Sequence, residues 1–414
     1  MADDDNATLW QMLRQEFVSF LGGGNENDAR YAGLQMITTP TEALWDDPQY
    51  GKWLAWSFAN AIPLWGNSYI PSADNTVTKA YWTFLTNIDV PVPNNEAGHL
   101  ANTVFHEQIL PLVAEMESLH SQALVEWEDY NCHQSCLPPE EQESFDSWFA
   151  RDMGTRISTL ETQYHNYLVE YTSLSNRAGV TSSPVSQALS DYNNPAYQQT
   201  LTNDKGVKFS YRTWNLQPNF TSWLKEAESG QGTALRLEIT KKTGDASFAN
   251  GFISTERLDA YHSLGINTQS DFNLIFAASA FVGIKIKPGG WFHQNLLLTY
   301  KHGPFKASGF YGGSRPKAVF WGPEGTYALS PVVVYMAYQP TVRAILSEEN
   351  YSSLQKTQKA GETIIIGPFA FGGDKASRKN DIAVWDDQNL QLTLSSKSQH
   401  PQIMAVLSQV MPGN

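Results

Sequence analysis

The chain has 414 residues, 41% of them hydrophobic and 17% charged, with a formal net charge of −14. That balance excludes a disordered chain and gives two or three domains with ample core. The negative charge repels a phosphate backbone and an anionic membrane surface, so nucleic acid is not an expected partner.

MADDDNATLW has no basic region ahead of an apolar stretch. No run of 18 apolar residues follows anywhere, so no integral membrane segment is expected. Sequons at Asn6, Asn219 and Asn350, with only two cysteines, favour a secreted chain that has lost its signal peptide over a cytosolic one. LWQMLRQEFVSFL (9–21) has helical spacing and is stopped by GGG at 22–24. From 40 to 93, aromatic pieces alternate with Pro and Gly, which predicts short helices joined by turns.

Two seams follow. Phe105, Ile109, Leu112, Met116, Leu119, Ala123 and Trp127 form the first, and Phe149 to Leu174 the second, at steps of three and four. They predict two long helices in an antiparallel hairpin, broken at NCHQSCLPPEEQE.

From 175 to 203 the composition turns to Ser, Asn, Tyr, Gln and Pro, and beyond it the period becomes two. Strands are predicted at 207–214, 233–240, 272–287, 296–301, 317–322, 332–338, 363–369 and 390–396, with SWLKEAESG as a short helix and IMAVLSQVM as an edge element. In 272–286 every even position is apolar, which predicts an even face turned inward and Lys285 and Lys287 turned to solvent. Sixteen extended residues span about 50 Å, so a bend is expected near Ala277–Ala280 or Gly283. The expected class is α+β: an aromatic-rich helical segment (1–95), a helical hairpin (96–180), a linker (181–205) and an antiparallel β-sandwich or open barrel (206–414).

Standard catalytic motifs are missing: HEQIL at 106–110 is not HExxH, and there is no nucleophile elbow or phosphate loop. His99, His106 and His120 are too widely spaced for one metal. Cys132, His133 and Cys136 offer three soft ligands where structural zinc takes four, leaving a local disulfide or two free thiols. No metal and no cofactor is expected. The segment 291–343 is different, because it gathers rings with polar tips, as a closed small-molecule cavity requires. Its candidate catalytic residues are His293, Tyr311 and Arg343. Its candidate substrate wall is Trp291, Tyr300, Phe310, Trp321, Tyr327, Tyr335 and Tyr338. The expected partner is a small hydrophobic molecule; oligomeric state is not legible.

WNLQPNFTSWLKEAESGQG, VGIKIKPGGWF and IIIGPFAFGG resemble a group of fungal proteins encoded in natural-product gene clusters, and among them the hetero-Diels–Alderases of tropolone sesquiterpenoid pathways. The resemblance covers about 200 residues of the C-terminal half and transfers no catalytic motif residue by residue. It implies an enzyme without cofactor that joins a hydrophobic terpenoid to a quinone-methide-type partner. Two other classes compete: a pore-forming or membrane-inserting protein, suggested by the alternating stretch 272–286, and a carbohydrate-binding module, suggested by the Trp and Tyr content.

Overall fold

The computed structural model describes residues 4–23, 28–48, 50–89, 95–112, short pieces between 114 and 148, 155–179, 184–202, 208–241, 252–257, 260–263, 272–305, 320–323, 325–373 and 375–412. In chain order they form α1 (Asp4–Phe20), β1 (Leu34–Glu42), α2 (Gly51–Asn60), β2 (Ala61–Pro63), β3 (Pro71–Thr76), α3 (Val77–Asn87) and α4 (Glu96–Val104). Next come α5 (Thr155–Ala178), α6 (Pro184–Tyr192), β4 (Gln198–Thr202), β5 (Lys208–Arg212), β6 (Trp214–Gln217), α7 (Phe220–Glu228) and β7 (Thr233–Lys241). Then follow β8 (Ile253–Arg257), β9 (Ala260–Ser263), β10 (Phe272–Pro288), α8 (Gln294–Thr299), β11 (Leu329–Ile345) and α9 (Glu348–Lys359). The chain ends with β12 (Thr363–Ile366), β13 (Phe369–Phe371), β14 (Ile382–Asp386), β15 (Gln391–Ser395) and β16 (Gln402–Val410). The class is α+β, with antiparallel sheets.

The main sheet is organised by two strands of 17 residues, β10 and β11, paired from Asn273↔Ile345 to Lys285↔Val333. Each changes its outer partner along its length. β7 pairs with β10 from Phe272 to Phe281, and β6 takes over from Lys285. β15 pairs with β11 from Thr341 to Ile345, and β16 pairs with it from Leu329 to Ala337. The expected bend coincides with this change of partner: the β7 register slips between Ala278 and Phe281. Opposite it sits Gln339, at φ 48°, in the left-handed region that bulky residues avoid.

The two halves of the ribbon are buried differently. In the first half, Leu274, Phe276 and Ala278 face Val342 and Ala344 in a core with Leu9, Leu13 and Phe17 of α1. Arg343 and Ile345 between them are exposed. Beyond Gln339 the odd positions Phe281, Tyr335 and Ala337 enter that same core. The even positions Ala280, Ile284, Val334, Met336 and Tyr338 enter a different one, under α2 and α7. Successive strand residues point to opposite faces, so this half is covered on both sides. Even positions are buried in both halves, but in different cores, so the single inward face expected from the alternation is divided at the slip; Lys285 and Lys287 are exposed, as expected.

Several expectations change. Residues 296–301, predicted as a strand, lie in α8 and the turn after it, because consecutive Leu296 and Leu297 are both drawn into the aromatic cluster described below. The C-terminal strand is not an edge: β1 pairs with β16 from the side away from β11. The segment 1–95 therefore holds a sheet strand as well as helices. The stretch 363–369 is broken at Gly367 (φ 59°) into β12 and the start of β13. The 181–205 stretch, expected as a linker, carries α6 and β4, and Tyr192 in it is fully buried. In the helical region, Asn95 Nδ2 donates to Ala178 O at 3.3 Å and Arg156 pairs with Glu115 at 2.5 Å, so α5 runs opposite to 95–115. The break at 131–143, with Cys132, His133 and Cys136, lies outside the described residues, as do His120 and 317–319; residues 320–322, predicted as the end of a strand, form a turn instead. Of the sequons, Asn219 caps α7 by accepting Ser222 N–H at 3.1 Å, and Asn350 is buried in the first turn of α9.

Candidate active site

A third cluster, built from α2, α3, α4, α5 and α6 together with 291–305 and 320–327, holds more aromatic residues than either of the other two cores. Its centre is set by the turn after β10. Gly289 N–H and the Trp291 indole N–H both donate to Thr213 O, at 2.9 and 2.7 Å. A Cβ at Gly289 would stand 2.2 Å from Thr213 Oγ1, and one at Gly290 2.5 Å from the Tyr197 ring, so only glycine permits this approach. Trp291 is thereby placed among Tyr81, Tyr192, Trp214 and Phe292, with ring centroids 5.5–5.9 Å away.

His293 immediately precedes α8. Its backbone N–H donates to the Tyr81 hydroxyl at 2.9 Å, and its Nε2 lies 2.9 Å from Asp191 Oδ2. Asp191 is at the end of α6 and Tyr81 is on α3, so three helices meet here. The His293 side chain is 34% exposed and that of Asp191 16%, whereas Tyr81 is fully buried. Burial pushes the Tyr81 hydroxyl well above the ordinary tyrosine range; the His293 N–H opposes this and the Asp191 charge adds to it. Tyr81 is therefore a neutral hydroxyl. Next to Asp191, the Arg212 guanidinium lies 3.4 Å over the Tyr192 ring and donates to Tyr192 O at 3.2 Å. That is close cation–π geometry.

A carboxylate only accepts hydrogen bonds, so Asp191 fixes the proton of this contact on His293 Nε2. Nδ1 is then the nitrogen that Asp191 does not engage. It accepts a proton when the ring is neutral and donates one when the ring is charged. This is the arrangement of a general base or of a hydrogen-bond donor whose ring is held by a carboxylate.

The other predicted residues separate. Trp291 and Tyr327 are fully buried in this cluster, and Tyr300 and Trp321 pack at its margin, half-buried. Trp321 donates to Lys301 O at 3.2 Å, and Asp89 N–H to Pro304 O at 2.9 Å, which ties 300–305 to the end of α3. Tyr335 belongs instead to the α1 core, 5.1 Å from Phe17, and Tyr338 to the core under α2 and α7. Arg343 is on the exposed sheet face, bonded to Gln391 Oε1. Phe310 and Tyr311 lie outside the described residues. The expected wall is thus divided among three cores, because Tyr335 and Tyr338 stand on opposite faces of β11. A hollow of about 240 Å³, open to solvent, is lined elsewhere, by Ala32, Gly33, Trp65, Gly66, Asn67 and Leu329.

Sequence reasoning missed Asp191, Tyr81 and Arg212. Asp191 is 102 residues from His293, inside a segment whose composition reads as a linker. Among the described residues, no group of three or more His, Cys, Asp or Glu is placed to hold a metal. No helix among them is long and apolar enough to cross a membrane. No family model, curated protein or solved structure matches the chain.

Proposed function

We propose that this chain is a cofactor-independent enzyme of natural-product biosynthesis that promotes a hetero-Diels–Alder cycloaddition of a hydrophobic terpenoid with a quinone-methide-type partner. The observation that carries the reading is the Asp191–His293 contact of 2.9 Å beside half-buried rings. A cycloaddition exchanges π bonds for σ bonds without losing an atom, so it asks for orientation and a donor, not a nucleophile. Holding two reactants in reactive geometry supplies on the order of 7–11 kcal/mol in good intramolecular cases. In its charged form the His293 ring donates Nε2–H to Asp191 and has Nδ1–H left for the carbonyl oxygen of the quinone methide. Phe292, Tyr300 and Trp321 offer apolar surface for the alkene. In this reading the main sheet is one layer of a sandwich over the α1 core, and 96–180 is a hairpin that walls the site.

The test is direct. Purified protein is mixed with a humulene-type alkene and a quinone-methide precursor, and the adduct is resolved chromatographically. Faster formation with one stereoisomer in excess is expected. His293→Ala should lower the rate by about 10²-fold, as loss of one oriented donor does elsewhere. Asp191→Asn should lower it less. Formation at the background rate, or an unaffected His293→Ala, rejects the proposal.

A pore-forming role is the second reading. β10 and β11, at 17 residues each, exceed the 9–11 or so that a membrane strand needs. Against it, half of that ribbon is covered on both faces. Leakage of liposomes at sub-micromolar protein would favour it over the enzyme.

A further inference from the structure

The loop 64–70, between β2 and β3, is uncommon in what it exposes and how firmly it is held. Leu64 is 51% exposed, Trp65 47% and Ile70 51%. This loop is held at several points. The fully buried Gln35 sends its amide into it, donating to the carbonyls of Leu64, Gly66 and Ser68 at 2.8, 3.1 and 3.2 Å. Met36 N–H donates to Asn67 O at 2.8 Å, Tyr69 N–H to Met36 O at 2.9 Å, and Leu64 N–H to Ile70 O at 2.8 Å. The Tyr69 ring stacks on Phe58 at 5.1 Å, facing inward. The remaining large side chains are left outside by the fold itself.

The charge pattern narrows the partner. No charged residue occurs from Trp53 to Ala73 in a chain whose net charge is −14. A protein or glycan partner chosen by ion pairs finds nothing here, and an anionic surface is repelled by the rest of the molecule. A zwitterionic lipid surface fits. Leucine and isoleucine enter the acyl boundary, and tryptophan settles at the headgroup level with its N–H wet. We propose that Leu64, Trp65 and Ile70 form a lipid-docking tip that seats the protein on a zwitterionic membrane without crossing it. The proposal is independent of the His293 site.

Sedimentation of the full chain with phosphatidylcholine vesicles tests it. Binding is expected, and it should persist at about 1 M salt, where surface electrostatics are screened. A variant combining Leu64→Ser, Trp65→Ser and Ile70→Ser should bind at least about tenfold more weakly while still unfolding in one cooperative transition, its melting temperature lowered only modestly because about half of each side chain is already exposed. A variant with Ile382→Ser and Val384→Ser, which removes exposed apolar residues on β14, should bind as the parent does. Four results would overturn the idea. These are no binding at millimolar lipid, binding only to phosphatidylserine vesicles and lost in salt, equal binding by the triple-serine variant, or dimerisation without lipid binding that the same variant abolishes.

Discussion

Replacing Trp291 separates a core residue from a ligand wall. Its side chain is fully buried, touched by four rings, with its N–H on Thr213 O. Taking an aromatic side chain of 150–250 Å² out of water contributes about 4–6 kcal/mol at 25 cal/mol per Å², an upper bound from an extended reference chain. The hydrogen bond adds little. Thr213 O keeps the Gly289 N–H at 2.9 Å, so the carbonyl is not orphaned, and the loss is about 1 kcal/mol. Trp291→Ala is therefore expected to cost about 3–5 kcal/mol, in line with large-to-small changes in rigid cores. Trp291→Phe keeps part of the ring packing and should cost about 1–2 kcal/mol. Urea unfolding measures both: the midpoint should fall in that order while the slope stays constant. A Trp291→Ala protein within about 1 kcal/mol of the parent would refute the assignment to the core. If it also lost small-molecule binding, the residue would be a ligand wall after all.

Two further outcomes follow from local geometry. Gln339 at φ 48° stands in the middle of β11, where a β-branched side chain is strained, so Gln339→Val should destabilise by about 1–2 kcal/mol and Gln339→Gly should be neutral or stabilising; the reverse order of melting temperatures would contradict the strain assigned there. Burial pushes the hydroxyls of Tyr211 and Tyr335 up to about 12, from 10.0. The unfolded chain releases these protons near pH 10 while the folded chain holds them, so stability is intact below pH 10, falls as pH rises from 10 to 12 and levels off above. Tyr335→Phe should shallow that fall, and an unchanged pH slope in this variant would show that Tyr335 does not contribute.

Much of the sheet was legible because burial repeats along a strand. Eight even positions of 272–286 are apolar, and six of them are buried in the structure, Leu274, Phe276 and Ala278 in one core and Ala280, Ile284 and Ile286 in another. The α1 seam at 9, 13 and 17 was legible for the same reason at helical period. Periodicity failed where tertiary packing outweighed local preference. LLLT reads as a strand, yet it forms α8, since the short segment between Trp291 and Phe305 lies along α3. It failed again at 34–42, whose place beside β16 depends on partners at 402–407, at the far end of the chain.

The site is the sharper case. The sequence by itself determined composition, charge and the alternation of buried positions along the long ribbon, because each depends on residue type or on neighbours a few positions apart. Only the tertiary structure decided that His293 meets Asp191, that Tyr335 and Tyr338 belong to different cores, and that Leu64, Trp65 and Ile70 stay outside. Each of those facts depends on what packs against the residue, and those neighbours come from segments far apart along the chain, set by how the helices close on the sheet rather than by any local preference.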